Sequence, residues 1–248
     1  MSEFAPIETT GIQAKVEVGE LDNNKVVRKV SAWNLPLKTQ TTLLLAMDEY
    51  RHQLKDVGIL TPKSYKLSLT ENGIETVDEF IEGGDVDYEL KQGRGLASWE
   101  AIVRTLCALE TEGNQSKVMI DAKPANWIVN GGIHFIDLYP PMLRDTDGNI
   151  YPFIPEVYNR DIDIFNFNCG DTRGQITKLL AGARFTYPKQ LPTLEKITRD
   201  IVIQRLSEDK ISYIDNQIAM NYPDMNALYG GDLVPIRKLL HKEAVVRV

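Results

Sequence analysis

The spacing of hydrophobic positions changes several times along the chain, and each change predicts an element. Residues 14–18 alternate weakly, residues 19–24 (GELDNN) form a polar turn, and residues 25–30 (KVVRKV) interleave valine with charge as a half-buried strand does. The period then lengthens. Thr41 and Thr42 stand where caps belong, ahead of LLLAMDEYRHQLKDV, and Leu44, Met47 and Leu54 give that helix an apolar side. Gly58 is placed to stop it, and Pro62 follows. Alternation returns at Tyr65, Leu67 and Leu69. Glu71-Asn72-Gly73 predicts a tight turn, because Asn-Gly readily takes the positive φ angles of a hairpin, and residues 74–81 form the return strand.

The stretch EGGDVDYELKQGRG reads as a flexible acidic connector. After it Leu96, Trp99, Ile102, Val103, Leu106 and Leu109 follow the 3.6-residue period, with Ser98 as candidate cap. Residues 127–129 and 133–136 predict two short strands joined at Asn130-Gly131-Gly132. A proline-rich irregular stretch covers residues 139–155, and helical patterns recur around residues 175–183, 194–206 and 234–243. The chain therefore reads as α+β. A strand-rich part with one helix spans residues 1–82, a connector 83–95, and a mainly helical part 96–248.

Composition narrows the classes of function. With 248 residues the chain is long enough to bury a sizeable core, as one large domain or two small lobes. A formal charge of −7 argues against a nucleic-acid partner, which needs clustered Lys and Arg to neutralise phosphates. No apolar run reaches the roughly 18 residues of a membrane span. The N-terminal MSEFAPIETT lacks the basic and apolar regions of a secretory signal, so a cytoplasmic protein is expected. Cys107 and Cys169 have neither redox nor zinc spacing, and Cys107 falls within an apolar helical pattern as a small buried residue.

The candidate chemistry lies in VMIDAKPANWIVNGGIHFIDL, residues 118–138. A hairpin brings its ends together, so Asn126, just before the first strand, and Asp137, just after the second, are expected to meet. Asp121 stands five positions before Asn126, and Pro124 blocks helix there and pushes Lys123 towards an extended conformation. Three oxygen-bearing side chains and an ammonium then line one rim. Hard oxygen donors of this kind suit Mg²⁺, which takes one or two protein carboxylates and leaves room for phosphates. A lysine beside them can meet a phosphate oxygen, and a carboxylate set back from the metal can accept a hydroxyl proton. Those are the requirements of phosphoryl transfer.

These residues carry a resemblance. Asp121-Ala122-Lys123-Pro124-Ala125-Asn126 resembles the catalytic loop of the protein-kinase-like superfamily, and Asp137-Leu138-Tyr139 stands where that superfamily has its metal-binding Asp-Phe-Gly. The small-molecule branch, which includes aminoglycoside phosphotransferases and choline kinases, is the most similar. The order of strands, helix, hairpin and connector also matches. The resemblance implies a bilobal fold, with a small strand-rich N-lobe and a mainly helical C-lobe. It implies ATP and Mg²⁺ as cofactors and a small-molecule acceptor. Asp121 would be the base or orienter for the acceptor hydroxyl, Lys123 would neutralise the transferring phosphate, and Asn126 and Asp137 would hold Mg²⁺. Lys29 would contact the α- and β-phosphates, with Lys25 and Arg28 as alternatives, and Glu49 would steady it. The connector from Glu79 through Ile81 to Gly84 would meet adenine through its backbone.

The pattern also departs from the superfamily. Met119 stands in place of its histidine, no GxGxxG covers the first strands, Leu138-Tyr139 replaces Phe-Gly, and Pro140-Pro141 stiffens the segment after it. These departures argue against a regulated protein kinase and motivate an alternative, a pseudokinase serving as a nucleotide-binding or scaffold protein. Nucleotidyl transfer on the same groups is a third reading. Asp161 and Asp163, in RDIDIFNFN, are candidates for the acceptor side. With the acidic balance they point to an amine-bearing antibiotic or metabolite, although a polar strand or loop edge accounts for them better.

Overall fold

The computed structural model describes residues 4–6, 14–31, 36–71, 73–113, 118–139, 142–143 and 167–222. The architecture is α+β, with one five-stranded antiparallel sheet, a separate two-stranded hairpin and several helices. The sheet has the order β1-β2-β3-β5-β4, from Ala5–Pro6, Ala14–Leu21, Asn24–Ser31, Gly73–Glu79 and, at the far edge, Ser64–Thr70. Strands β2 and β3 are longer than their hydrophobic pattern suggests. Leu21 pairs with Asn24, so the turn between them is only Asp22-Asn23, both at positive φ (50° and 63°). Asp and Asn tolerate that region better than other non-glycine residues, and a two-residue turn of this hand matches strand twist. The expected polar turn over residues 19–24 is thus mostly strand.

Helix α1 spans Leu37–Asp56 and crosses between β3 and β4. It starts well before Thr41 and Thr42, whose hydroxyls bond back to the carbonyls of Leu37 and Lys38 inside the helix instead of capping it. Its buried face is Leu43, Ala46, Met47, Tyr50, Arg51 and Leu54. Gly58, at φ 78°, ends it as expected.

The connector is ordered. Helix α2 (Val86–Lys91) occupies it, capped by the Asp85 carboxylate, which accepts from the Tyr88 N–H at 2.6 Å, and its Val86 and Leu90 are fully buried. Helix α3 (Leu96–Thr111) begins after Gly95, which takes a left-handed φ of 80° at the cap, so Ser98 lies inside the helix. Trp99, Ile102, Val103, Leu106, Cys107 and Leu109 are buried along it, each large apolar side chain being worth about 1.5–3 kcal/mol. Strands β6 (Trp127–Val129) and β7 (Ile133–Phe135) form the hairpin, with Gly131 at φ 61° in its turn. Helices α4 (Thr172–Thr186), α5 (Leu191–Arg205) and α6 (Glu208–Ala219) complete the described chain. The first two extend the helices expected there, the third has no counterpart in the expected pattern, and residues 234–243 lie outside the described residues.

Helix α3 packs against α4 and α5, and the Trp99 indole N–H donates to Thr198 on α5 at 3.0 Å. One cluster of buried side chains runs from Leu43 and Tyr50 on α1, through α2, α3 and the hairpin residues Trp127 and Phe135, to α4 and α5. The candidate site lies along this seam. Among the described residues, no helix is long and apolar enough to cross a membrane.

Candidate functional site

The segment ending in Asp121 is apolar, and Val118, Met119, Ile120 and Ala122 are all buried. Buried backbone must be hydrogen-bonded, and here each neighbouring element supplies a partner. Met119 N–H donates to Met142 O at 3.0 Å and Ile120 N–H to Cys169 O at 2.8 Å. The Tyr50 hydroxyl, on α1, donates to Met119 O at 2.7 Å. The Gln175 amide, on α4, reaches Ile120 O at 3.3 Å and Cys169 O at 2.6 Å. The loop is therefore braced without a histidine at position 119. Neither Tyr50 nor Gln175 is identifiable from local sequence, because their partners lie 69 and 55 positions away.

Beyond Asp121 the chain turns as its proline dictates. Lys123 is extended (φ −52°, ψ 138°), and Pro124 opens a single 3₁₀ turn, Pro124–Asn126, rather than excluding helix altogether. That turn aims Asn126 back across the loop. Its amide donates to Asp121 O at 2.9 Å and to Asp137 Oδ2 at 3.0 Å. The hairpin then returns the chain so that Ile136 N–H bonds Asn126 O at 2.9 Å. Asp121, Asn126 and Asp137 are thus brought together, as the spacing predicted.

Three lysines surround them. Lys123 Nζ lies 3.1 Å from Asp121 Oδ2, and Lys178 Nζ, from α4, lies 2.7 Å from Asp121 Oδ1. Lys29 Nζ, from β3, donates to Ile136 O at 3.0 Å, one residue from Asp137. Burial pushes the Asp121 carboxyl up, but the charges and hydrogen bonds of Lys123 and Lys178 outweigh it and hold the group well below the usual carboxylate range. Asp137 goes the other way. Burial and the neighbouring Asp121 charge raise it to about 6, with the three lysines opposing. Burial lowers the Lys29 ammonium, against the pull of Asp78 and Asp137, while the Asp121 charge raises Lys123. Two carboxyls side by side are thus driven apart in proton affinity, a common arrangement at functional sites.

Glu49 is not brought to Lys29. It sits on the exposed face of α1 and accepts from Gln53 one turn on, at 2.7 Å. The helix turns Arg51 inward instead, and Arg51 pairs with Asp78 on β5 at 2.9 Å. The Asp78 carboxylate also raises the Lys29 ammonium, against the larger effect of burial. Of the alternatives to Lys29, Arg28 is engaged by Glu17 and Glu75, and Lys25 lies over the Phe80 ring at 3.9 Å.

On the connector, Glu79 N–H donates to Lys63 O at 2.8 Å and Phe80 N–H to Lys25 O at 3.1 Å. Ile81 is buried, and its N–H donates to no acceptor among the described residues. Gly83 is required where it stands. At φ 139° its missing Cβ would sit 2.3 Å from Val129 O, so only glycine lets the connector lie against β6. Asp161 and Asp163 lie outside the described residues.

The donor set fits Mg²⁺ in kind, since an amide and a carboxylate meet on a half-buried rim beside lysines that suit phosphate. Among the described residues, no group of three or more His, Cys, Asp and Glu could hold a metal on its own, and an ion here would complete its shell with water or substrate oxygens. No protein-family model matches the chain, and no curated protein matches it.

Proposed function

We propose that the protein is an ATP-dependent phosphotransferase of two-lobed, protein-kinase-like build, moving the γ-phosphate of ATP to a hydroxyl of a small molecule. The observation that carries the reading is the convergence of Asp121, Asn126 and Asp137 around one hairpin, with Lys29 and Lys123 beside them. Nucleotide would place its adenine edge on the Ile81 N–H and its phosphates on Lys29 and Lys123. Asn126 and Asp137 would hold Mg²⁺, which when bound supplies positive charge to the β- and γ-phosphate oxygens. Asp121 orients the acceptor hydroxyl and takes its proton. The acceptor oxygen forms a bond to the γ-phosphorus as the bond to the β–γ bridging oxygen breaks, and ADP leaves with that electron pair. Catalysis of this kind rests on positioning and on fixed charge.

The alternative is a pseudokinase that binds nucleotide without turnover. The absence of a GxGxxG motif over the first strands and Met119 in place of the histidine motivate it.

Thermal unfolding with ATP, with and without Mg²⁺, tests the site first. Ligand at a hundred times its Kd stabilises by about 2.7 kcal/mol. The expected result is a Mg²⁺-dependent shift in the wild type that Asp137→Asn removes. Asp121→Ala is expected to bind nucleotide and to transfer no phosphate, with mass spectrometry of the product separating added phosphate from added nucleotide. Full turnover by Asp121→Ala overturns the assignment, and nucleotide binding without turnover in the wild type selects the pseudokinase.

A further inference from the structure

Asp121 carries two ammonium groups, one on each carboxylate oxygen, and the two lysines are placed very differently. The Lys178 side chain is 10% exposed and lies 2.7 Å from Oδ1, whereas that of Lys123 is 56% exposed and lies 3.1 Å from Oδ2. Lys178 sits three residues after Gln175 on α4, so the two share one face of the helix. Gln175 fixes the backbone just before Asp121 through Ile120 O, and Lys178 fixes the side chain itself. Helix α4 is in turn seated closely, since a Cβ at Gly174 would lie 2.0 Å from Phe167 O.

We infer that Lys178 is a positioning residue that anchors Oδ1 of Asp121, leaving Oδ2 as the oxygen that meets the acceptor hydroxyl once the exposed Lys123 moves onto phosphate. The inference rests on the phosphotransferase reading and deepens it, because it assigns separate tasks to the two lysines. Lys123 is exposed and serves the Asp121 carboxylate only until it moves onto phosphate, whereas Lys178 stays. A second cation, buried and held by a helix that also braces the loop backbone, fixes direction. In the step itself the acceptor proton passes to Oδ2 as the acceptor oxygen bonds the γ-phosphorus and ADP leaves with the electrons of the broken bond. Lys178 neither gains nor loses a proton and touches no reacting atom.

The test is a mutant cycle on MgATP turnover with water as acceptor, alongside equilibrium binding of a fluorescent ATP analogue. A misplacement of about 1 Å costs on the order of 100-fold in rate. Lys178→Met is therefore expected to lower kcat about 100-fold, leaving KM for ATP and analogue affinity within about twofold, and Lys178→Arg should restore most of the rate. Because Lys178 acts only through Asp121, Asp121→Asn/Lys178→Met should be no slower than Asp121→Asn alone, an extreme non-additivity that a general loss of packing would not give. The double variant also removes both charges, so it keeps the test open where Lys178→Met alone folds poorly. Lys123→Met is expected to weaken analogue binding, in contrast to Lys178→Met. The inference is overturned if wild type turns over and Lys178→Met keeps its rate, or if the two losses multiply in the double variant. If wild type itself shows no turnover, the phosphotransferase reading has failed and the inference falls with it.

Discussion

Arg51→Met isolates the pair that joins α1 to the sheet. The Arg51 and Asp78 side chains are 9% and 5% exposed and lie 2.9 Å apart. Removing one member of such a pair leaves an uncompensated buried charge and typically costs about 3–5 kcal/mol. Two contacts soften the loss here. Thr76 Oγ1 donates to Asp78 Oδ2 at 3.2 Å, and the Lys29 ammonium lies within electrostatic reach of the same carboxylate. The expected cost is therefore at the lower end, about 3 kcal/mol. For a chain of this size each kcal/mol moves Tm by about 2–4 °C, so the fall should be roughly 6–12 °C. Arg51→Met/Asp78→Asn should recover most of it, because a neutral amide is far cheaper to bury than a carboxylate. Glu49→Ala, on the outer face, should stay within about 0.5 kcal/mol of wild type. Differential scanning calorimetry of the four proteins gives the answer. If Glu49→Ala proves the costly change and Arg51→Met the silent one, the helix is turned the other way and the pairing of Arg51 with Asp78 is wrong.

Acid sensitivity should carry a contribution from Glu75, whose carboxyl is lowered by its hydrogen bond from Lys66 and by Arg28, against the effect of burial. A group depressed in the folded state stabilises above its unfolded pKa, near 4.5, and that stability is lost as pH falls towards the folded value; Glu75→Gln should flatten unfolding free energy against pH below about 4.5 relative to wild type. Burial pushes the Cys107 thiol up to about 11, and both cysteines are buried, so neither should react with maleimide at pH 7 until denaturant is added, as mass spectrometry would show. Gly83→Ala would force a Cβ to within 2.3 Å of Val129 O at a φ that alanine avoids, and a loss of more than about 2 kcal/mol is expected from urea unfolding.

The legible part of the sequence was local. The D-x-K-P-x-N spacing, the turn at Asn130-Gly131-Gly132 and the Asp137 beyond it are close neighbours along the chain, so the hairpin alone forces Asn126 and Asp137 together. The phase of α1 was not readable, because Leu43, Leu44 and Leu45 are consecutive and any of them satisfies a helical stripe. The structure buries Leu43 completely and leaves Leu45 67% exposed. That choice carries Glu49 outward and Arg51 inward. Helix α2 was missed because six residues hold too few turns for a period to show, and its cap, Asp85, looks like one more acid in an acidic stretch. Lys178 lies 57 positions from Asp121, and only tertiary packing reveals that pairing.

Helix α1 presents Tyr50 and Arg51 in succession, one fastened to the loop carbonyl of Met119 and the other to the sheet at Asp78. The helix is therefore a tie-bar between two parts of the molecule. To swing as a lever it would have to strip both fastenings at once, abandoning a buried hydroxyl bond and a buried ion pair together, at a cost of several kcal/mol. Held this way, the sheet and the loop keep one fixed relation through the helix, and a shift of either must carry the other with it.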